Sequence, residues 1–245
     1  MRRMLLCLML MVVMLQAGPA AASGLYEARV IVTGADLRSR PEGLTACLAQ
    51  VLVKVSGNPA LLDDPRLAAL APGPLVQGIA YLDRMSDQPK HDEQGTRDRP
   101  YDLVARFDPA GIDAALRGLG QAPWTGNRPA LLAEITILPR DGPALALRAD
   151  TDPDERHRAA LLAAAERFGI EVLLRPAAGE PPHPPAGAVV LQGTLSWRED
   201  QFGWVGAWRL AGREPAWGIA GVGFDAAYRN AIGGAVGILS GRGPP

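Results

Sequence analysis

The segment CLAQVLVKVSGNP, at residues 47–59, carries side chains that nucleophilic chemistry could use. Cys47 could serve as a thiolate, and Lys54 stands two residues before Ser56, so a Ser-Lys pair is an alternative, although no nearby motif supplies an oxyanion hole. The same region has apolar residues at helical spacing, which predicts a core helix. These residues are Leu44, Cys47, Leu48, Val51, Leu52 and Val55. We therefore expect a buried, inert Cys47 thiol with a raised pKa.

The sequence also predicts where this helix begins and ends. Pro41 suits the first helical position, where a missing N–H costs nothing. At the other end, glycine or asparagine can adopt the left-handed conformation that closes a helix, and proline cannot continue one. We interpret the residues found there as a structural turn: Ser56, Gly57, Asn58 and Pro59.

Motifs that would indicate catalysis or metal binding are missing from the sequence. It contains no G-x-S-x-G, H-E-x-x-H or Walker pattern, and no G-x-G-x-x-G that opens a helix. The three histidines, His91, His157 and His183, are far apart. His91 stands beside two acidic residues, but adjacent residues of an acidic loop rarely converge on one ion. We predict no catalytic residue, no metal site and no cofactor.

The first residues are typical of a secretion signal. Arg2 and Arg3 precede an uncharged apolar run at residues 4–15, and small residues follow up to Ala22. The run is shorter than the roughly 20 apolar residues that span a bilayer. We expect a Sec-type signal peptide over residues 1–22, cleavage after Ala22, and a periplasmic protein with no membrane span.

The charge and the cysteines limit the partners and the stabilising bonds. The formal net charge is −1, and it becomes −3 without the leader, which has two arginines and no acidic residue. No basic surface of the kind that binds nucleic acid is implied, so we expect no nucleic-acid partner. Cys47 is the only cysteine outside the leader, and it cannot form an internal disulfide.

Hydrophobic periodicity predicts an α+β fold with two small α/β modules, at residues 23–129 and 130–241. The first module should contain, in order, a strand at 26–32, the core helix, two short helices over 59–85 of which the first is capped by Asp64, a solvated loop at 86–100 that could be the tip of a long hairpin, a strand at 101–107 and a helix from Asp108.

The second module should combine parallel and antiparallel elements. Its segments are a central strand at 130–138, a helix at 151–169, a strand at 170–174, a proline-rich connector at 175–188, strands at 188–197, 203–210 and 216–224, and a last helix at 225–241. The joints between the last three strands have hairpin length, so we predict an antiparallel three-strand meander with flanking helices.

Four of the five tryptophans lie in this meander: Trp197, Trp204, Trp208 and Trp217. One interpretation is a sheet face that packs against helices, since tryptophan buries a large area and can satisfy its N–H at a sheet edge. The other interpretation is an exposed aromatic surface that binds a glycan or a protein partner.

Four segments in order resemble a known family. They are LYEARVIV, LTACLAQVLVKVSGNP, YDLVARFDPAGIDAAL with a later RPALL, and VVLQGTLSW with GWVGAWRL and AWGIAGVGFD. Together they resemble the exported proteobacterial family of unknown function numbered 2066, over residues 25–239. The resemblance implies a cell-envelope location and no established activity. The order of elements is also similar to small α/β modules of periplasmic accessory proteins, an analogy of fold alone.

We therefore interpret the chain as a periplasmic adaptor that acts by binding a protein of the envelope, through a strand edge or the tryptophan-rich meander. The alternatives are a glycan-binding protein and a cell-wall hydrolase or transferase that uses carboxylates such as Asp102, Asp108 or Glu134. A scaffold with a purely structural role in a large assembly is a further hypothesis.

Overall fold

The computed structural model describes residues 24–88, 91–92, 95–96, 99–151, 155–178 and 186–244. The helices of these residues are α1 (Arg40–Ser56), α2 (Pro109–Gly118), α3 (Glu155–Phe168) and α4 (Phe224–Leu239). The strands are β1 (Glu27–Thr33), β2 (Val76–Asp83), β3 (His91–Asp92), β4 (Gly95–Thr96), β5 (Pro100–Phe107), β6 (Leu131–Leu138), β7 (Leu145–Ala146), β8 (Val172–Leu174), β9 (Val189–Arg198), β10 (Gly203–Leu210) and β11 (Trp217–Val222). The predicted α+β class is confirmed.

The first sheet has three antiparallel strands in the order β1-β5-β2. β5 lies in the centre and places Leu103 opposite Val30 of β1 and Tyr81 of β2. Because side chains of a strand alternate between its two faces, Leu103, Ala105 and Phe107 point together into the core, where all three are fully buried. Helix α1 packs on this face of the sheet.

Strand β2 corrects the second of the two short helices expected over residues 59–85. Three 3₁₀ turns come first, at Pro59–Asp63, Pro65–Ala69 and Gly73–Leu75. The chain then extends and pairs with β5, which supplies the backbone hydrogen bonds that a helix would otherwise make. Asp64 is a cap as expected, since its side chain accepts a hydrogen bond from the Arg66 N–H (2.9 Å).

Strands β2 and β5 are antiparallel and form a hairpin, and the predicted solvated loop lies at its end, where β3 pairs with β4. One of the described residues of this loop is not solvated. Arg99 is buried, and its guanidinium donates to the carbonyls of Met85 and Gln88 and lies 3.5 Å from an oxygen of Asp83. Arg99 thus links the two strands at the base of the hairpin through hydrogen bonds and an ion pair.

The second sheet runs in the order β11-β10-β9-β6-β7, with β8 also paired to β6. β9, β10 and β11 form the predicted antiparallel meander. β6 is parallel to both β8 and β9, and parallel strands are usually covered on both faces. This explains why its sequence LLAEITIL is more continuously apolar than that of the other strands.

Helix α4 packs on the second sheet and on α3, and α3 also contacts α1. Two adjacent glycines of α4 allow this contact. A Cβ at Gly234 would overlap the indole ring of Trp217, and a Cβ at Gly233 would lie 3.1 Å from the ring of Phe168 in α3. The small side of α4 therefore permits close approach to the sheet and to the neighbouring helix.

The two sheets share one hydrophobic core. The end of α1 is where their elements meet, because the Trp124 N–H donates to the Val55 carbonyl (2.7 Å) and the Ser240 hydroxyl donates to the Gly57 carbonyl (2.7 Å). Each predicted module contains one of these two sheets, and the boundary between residues 129 and 130 stays a prediction. No helix among the described residues has the length and apolar character to cross a membrane.

Candidate binding sites

Cys47 lies in the middle of α1 and is fully buried. Burial raises the pKa of its thiol to about 12, because a thiolate would lose the hydration that stabilises its charge. The thiol lies 3.7 Å from the Ala28 carbonyl oxygen and 3.8 Å from that of Leu103. This environment makes the thiol a packing group of the core.

We predict that Cys47 resists alkylation until the protein unfolds. At pH 8 the native protein should react with iodoacetamide at least about 100-fold more slowly than the protein in denaturant, since only an exposed thiolate attacks. Mass spectrometry of the timed reaction measures both rates. Rapid modification of the native protein would contradict a buried thiol.

Lys54 and Ser56 have separate partners. The Lys54 ammonium donates to the Glu27 carbonyl (2.9 Å), and burial, as the main cause, lowers the pKa of this amine. The Ser56 hydroxyl accepts from the Asn58 N–H (3.1 Å) and lies 3.5 Å from the Val53 carbonyl oxygen. Both side chains are thus used at the end of α1, and they do not form a nucleophile pair.

The turn after α1 depends on Gly57. Its φ is 67°, and its N–H donates to the Val53 carbonyl (2.8 Å), as in a left-handed helix end. Asn58 is not left-handed, and its side chain instead accepts from the Ala60 N–H (3.2 Å) at the start of the next 3₁₀ turn. Pro59 is the first residue of that turn.

The carboxylates considered for hydrolysis lie on different elements. Asp102 of β5 pairs with Arg84 (2.8 Å), and Asp108 caps α2 by accepting from the Gly111 N–H (2.8 Å). Glu134 of β6 pairs with Arg175 (2.7 Å), whose hydrogen bond is the main cause that lowers the pKa of this carboxyl. General acid catalysis near neutral pH needs a raised pKa instead.

The histidines are also separated. His91 lies in β3, His157 lies in α3, and His183 lies outside the described residues. Within the described ranges, no group of three or more His, Cys, Asp or Glu side chains is arranged to hold a metal ion.

A groove runs along β1. A cavity of about 950 Å³ lies between β1 and helices α1 and α3, and a second of about 550 Å³ continues along the same strand. Both contact Val30, Ile31 and Ala46, so they form one continuous depression, which we call the β1 groove. Ile31 is 63% exposed there. Small side chains, including Ala49 of α1, keep the groove open.

Among the described residues β1 pairs with β5 alone, so the β1 groove borders an unpaired edge of the first sheet, which we call the free edge of β1. The Phe107 N–H donates to the Tyr26 carbonyl, and the Gly34 N–H donates to the Arg99 carbonyl. Because the direction of the backbone N–H and C=O groups alternates along a strand, the backbone groups of even-numbered residues of β1 point towards β5. The backbone N–H and C=O groups of odd-numbered residues face the groove: Glu27, Arg29, Ile31 and Thr33.

Lys54 closes one end of this edge by binding the Glu27 carbonyl. The backbone groups of Arg29, Ile31 and Thr33 have no hydrogen-bond partner among the described residues. Three consecutive donor and acceptor positions are thus available to an extended segment, at the spacing of a β-ladder.

The four meander tryptophans divide into two pairs. Trp208 and Trp217 are buried, and the Trp217 indole N–H donates to the Asn230 carbonyl (3.0 Å). They belong to the core and cannot serve as a binding surface. Trp197 and Trp204 are only half-buried, so a role in binding stays a prediction for these two alone.

Trp197 and Trp204 line a cavity of about 550 Å³, which we call the tryptophan pocket. Their rings are nearly perpendicular, with centroids 5.8 Å apart, and they form a corner. His157 packs against Trp204 and Phe224, with ring centroids 5.4 and 4.9 Å apart. The charged residues of the pocket are Arg140, Glu155 and Arg156.

Two features of these sites escaped the sequence-based reasoning. The free edge of β1 could not be recognised, because the order of strands depends on long-range pairing. His157 and Phe224 could not be joined to the tryptophans, because α3 and α4 reach the meander only through tertiary packing. The alternation of β9 and β10 could have placed Trp197 and Trp204 opposite each other, since they are register partners.

Comparison with known proteins adds one finding to this geometry. Residues 20–125 match the family described as Domain of unknown function (DUF8605). This match covers less than half of the chain and includes β1, α1 and β5. It supports the expectation of an uncharacterised domain in this part, and the resemblance to the family numbered 2066 stays a prediction. No curated protein and no solved structure matches the chain.

Proposed function

We propose that the chain is exported and acts in the cell envelope as an adaptor that binds an extended segment of a partner protein. The observation that carries this proposal is the free edge of β1, which opens into the β1 groove. Addition of a strand to an exposed sheet edge is a common mode of peptide recognition, in which backbone hydrogen bonds provide affinity. The secretion-signal pattern of residues 1–22 supports the export step.

The arrangement favours strand addition over hydrolysis. Asp102, Asp108 and Glu134 are each engaged by an arginine or a helix N-terminus, and they lie on separate elements. Asp102 and its partner Arg84 line the β1 groove, which also offers unpaired backbone groups beside the apolar side chains of Ile31 and Ala46. Such a surface suits a segment with alternating side chains, of which every second one would enter the groove.

The test is photo-crosslinking in living cells, with a photoreactive amino acid in place of Arg29, whose side chain is 48% exposed. Ile31→Pro should reduce the crosslinked partner by about tenfold or more, because proline removes one groove-facing N–H and its ring obstructs the ladder. The pairing of β1 with β5 uses Val30 and Val32 and should persist, since proline is tolerated at a free edge.

Ile31→Val is the matched control, and it should keep the adduct within about twofold because the backbone is unchanged. Circular dichroism confirms that both variants fold. An adduct that survives Ile31→Pro would contradict strand addition.

The trapped chain also reports export, since removal of residues 1–22 leaves Ser23 as its first residue. Release of labelled fragments from peptidoglycan by the purified chain, lost on replacing one carboxylate, would favour hydrolysis instead.

A further inference from the structure

The tryptophan pocket is a second candidate site, and it is independent of the β1 groove. It lies on the second sheet, between the β9–β10 hairpin and the first turns of α3 and α4. Its volume of about 550 Å³ falls within the range of about 300–1,000 Å³ that small-molecule sites usually have. Four of its seven lining residues have aromatic rings and the other three are charged, so the pocket combines an apolar wall with polar groups that can orient a ligand.

The aromatic walls of the pocket are held in place. The Trp197 indole N–H donates to a carboxylate oxygen of Glu199 (3.0 Å), and the same carboxylate pairs with Arg140 (2.7 Å). Trp204 is wedged between Trp197 and His157. A preorganised ring loses little conformational freedom when a ligand stacks on it.

One of the two arginines of the pocket is available to an anionic group of a ligand. Arg140 is already neutralised by Glu199, whereas Arg156 is exposed and has no ion pair or hydrogen bond with another described residue. A free guanidinium beside an aromatic corner can form a charge-assisted, bidentate hydrogen bond with a carboxylate. Glu155 is left to accept hydrogen bonds from hydroxyl groups.

Aromatic faces suit a particular class of small molecule. The face of an indole ring is electron-rich and attracts the weakly positive C–H bonds on one side of a pyranose ring. Two indoles at 83° present a corner for one compact ring, whereas a polyproline segment docks along an extended groove. We propose that the tryptophan pocket binds a carboxylated pyranose, with its ring in the corner between Trp197 and Trp204 and its carboxylate on Arg156.

The test compares two sugars that differ only in a carboxylate-bearing lactyl ether, N-acetylmuramic acid and N-acetylglucosamine. Isothermal titration calorimetry of the purified chain should show several-fold tighter binding of the carboxylated sugar. Trp197→Ala should weaken both affinities by about tenfold, since both sugars stack. Arg156→Gln should weaken only the carboxylated sugar, by about threefold, and so remove the difference between the two.

The controls separate loss of binding from loss of fold. Trp197→Phe keeps an aromatic face and should retain most of the affinity. Phe202→Ala removes an aromatic ring that is 88% exposed on the same hairpin but outside the pocket, and should leave both affinities unchanged. Equal affinity of the wild-type chain for both sugars, no binding of either, or binding of a polyproline peptide in their place would each overturn the proposal.

Discussion

Trp208→Ala is expected to lower the free energy of unfolding by about 3–5 kcal/mol, the usual cost of removing a large buried aromatic side chain. Trp208 of β10 is 2% exposed. Its ring lies so close to Gly193 and Gly206 that a Cβ at either glycine would overlap it. The space left by the ring cannot collapse easily, because two adjacent strands form its floor. Denaturant unfolding followed by circular dichroism measures the loss.

Hydrogen bonding adds little to this expected loss. The Trp208 indole N–H is buried and has no acceptor among the described residues. The loss of unfolding free energy in Trp208→Ala should therefore measure the packing contribution of the ring. Trp197→Ala is the matched control, because it removes the same side chain from a half-buried position of the same sheet and should cost about 1 kcal/mol or less. Equal losses for the two variants would contradict the division of the tryptophans into core and surface pairs.

Gly57→Val is expected to destabilise the protein by about 3 kcal/mol or more. The left-handed backbone at φ 67° costs a branched residue about 1–2 kcal/mol. A Cβ would also lie 2.8 Å from the Trp124 ring and 2.8 Å from the Ser240 Cβ, and such overpacking costs about 1–3 kcal/mol. Trp124, which follows α2, and Ser240, which follows α4, thus leave no room for a side chain at this turn. Thermal and denaturant unfolding measure the effect.

Gly120→Val separates the two causes. Gly120 has a similar φ of 71°, but nothing lies within 4 Å of a Cβ placed there. Its substitution should therefore cost only the backbone contribution, about 1–2 kcal/mol. Similar losses at both positions would show that the contacts of Gly57 are unimportant.

If Ser56→Ala abolished function at an unchanged melting temperature, the structural interpretation of the turn would be wrong.

The two proposed sites differ in the groups on which binding depends. The β1 groove depends on backbone groups, so its function should tolerate side-chain changes such as Ile31→Val and fail with proline. The tryptophan pocket depends on side chains, so its function should follow the ring at residue 197 and the charge at residue 156. The two sites share no lining residue, so the proposed variants of one site should leave the other intact.

Much of the local structure follows from the sequence alone. The apolar stripe and the SGNP segment of α1 predict a buried Cys47 and a glycine turn, because helical periodicity and left-handed φ preferences act within a few residues. The meander is equally local, since hairpin-length joints force neighbouring strands to pair. The helix predicted in the region of β2 is wrong, because the burial of the β2 side chains does not alternate regularly and pairing with β5 makes the segment extended.

The sites were decided by tertiary structure. Which strand has a free edge depends on the order β1-β5-β2, and that order follows from contacts between residues far apart in the chain. The four meander tryptophans cannot be told apart by residue type. Packing of α4 buries Trp208 and Trp217, whereas Trp197 and Trp204 stay half-exposed. Local sequence determines which backbone conformation a segment adopts, but burial and adjacency depend on which other elements cover it.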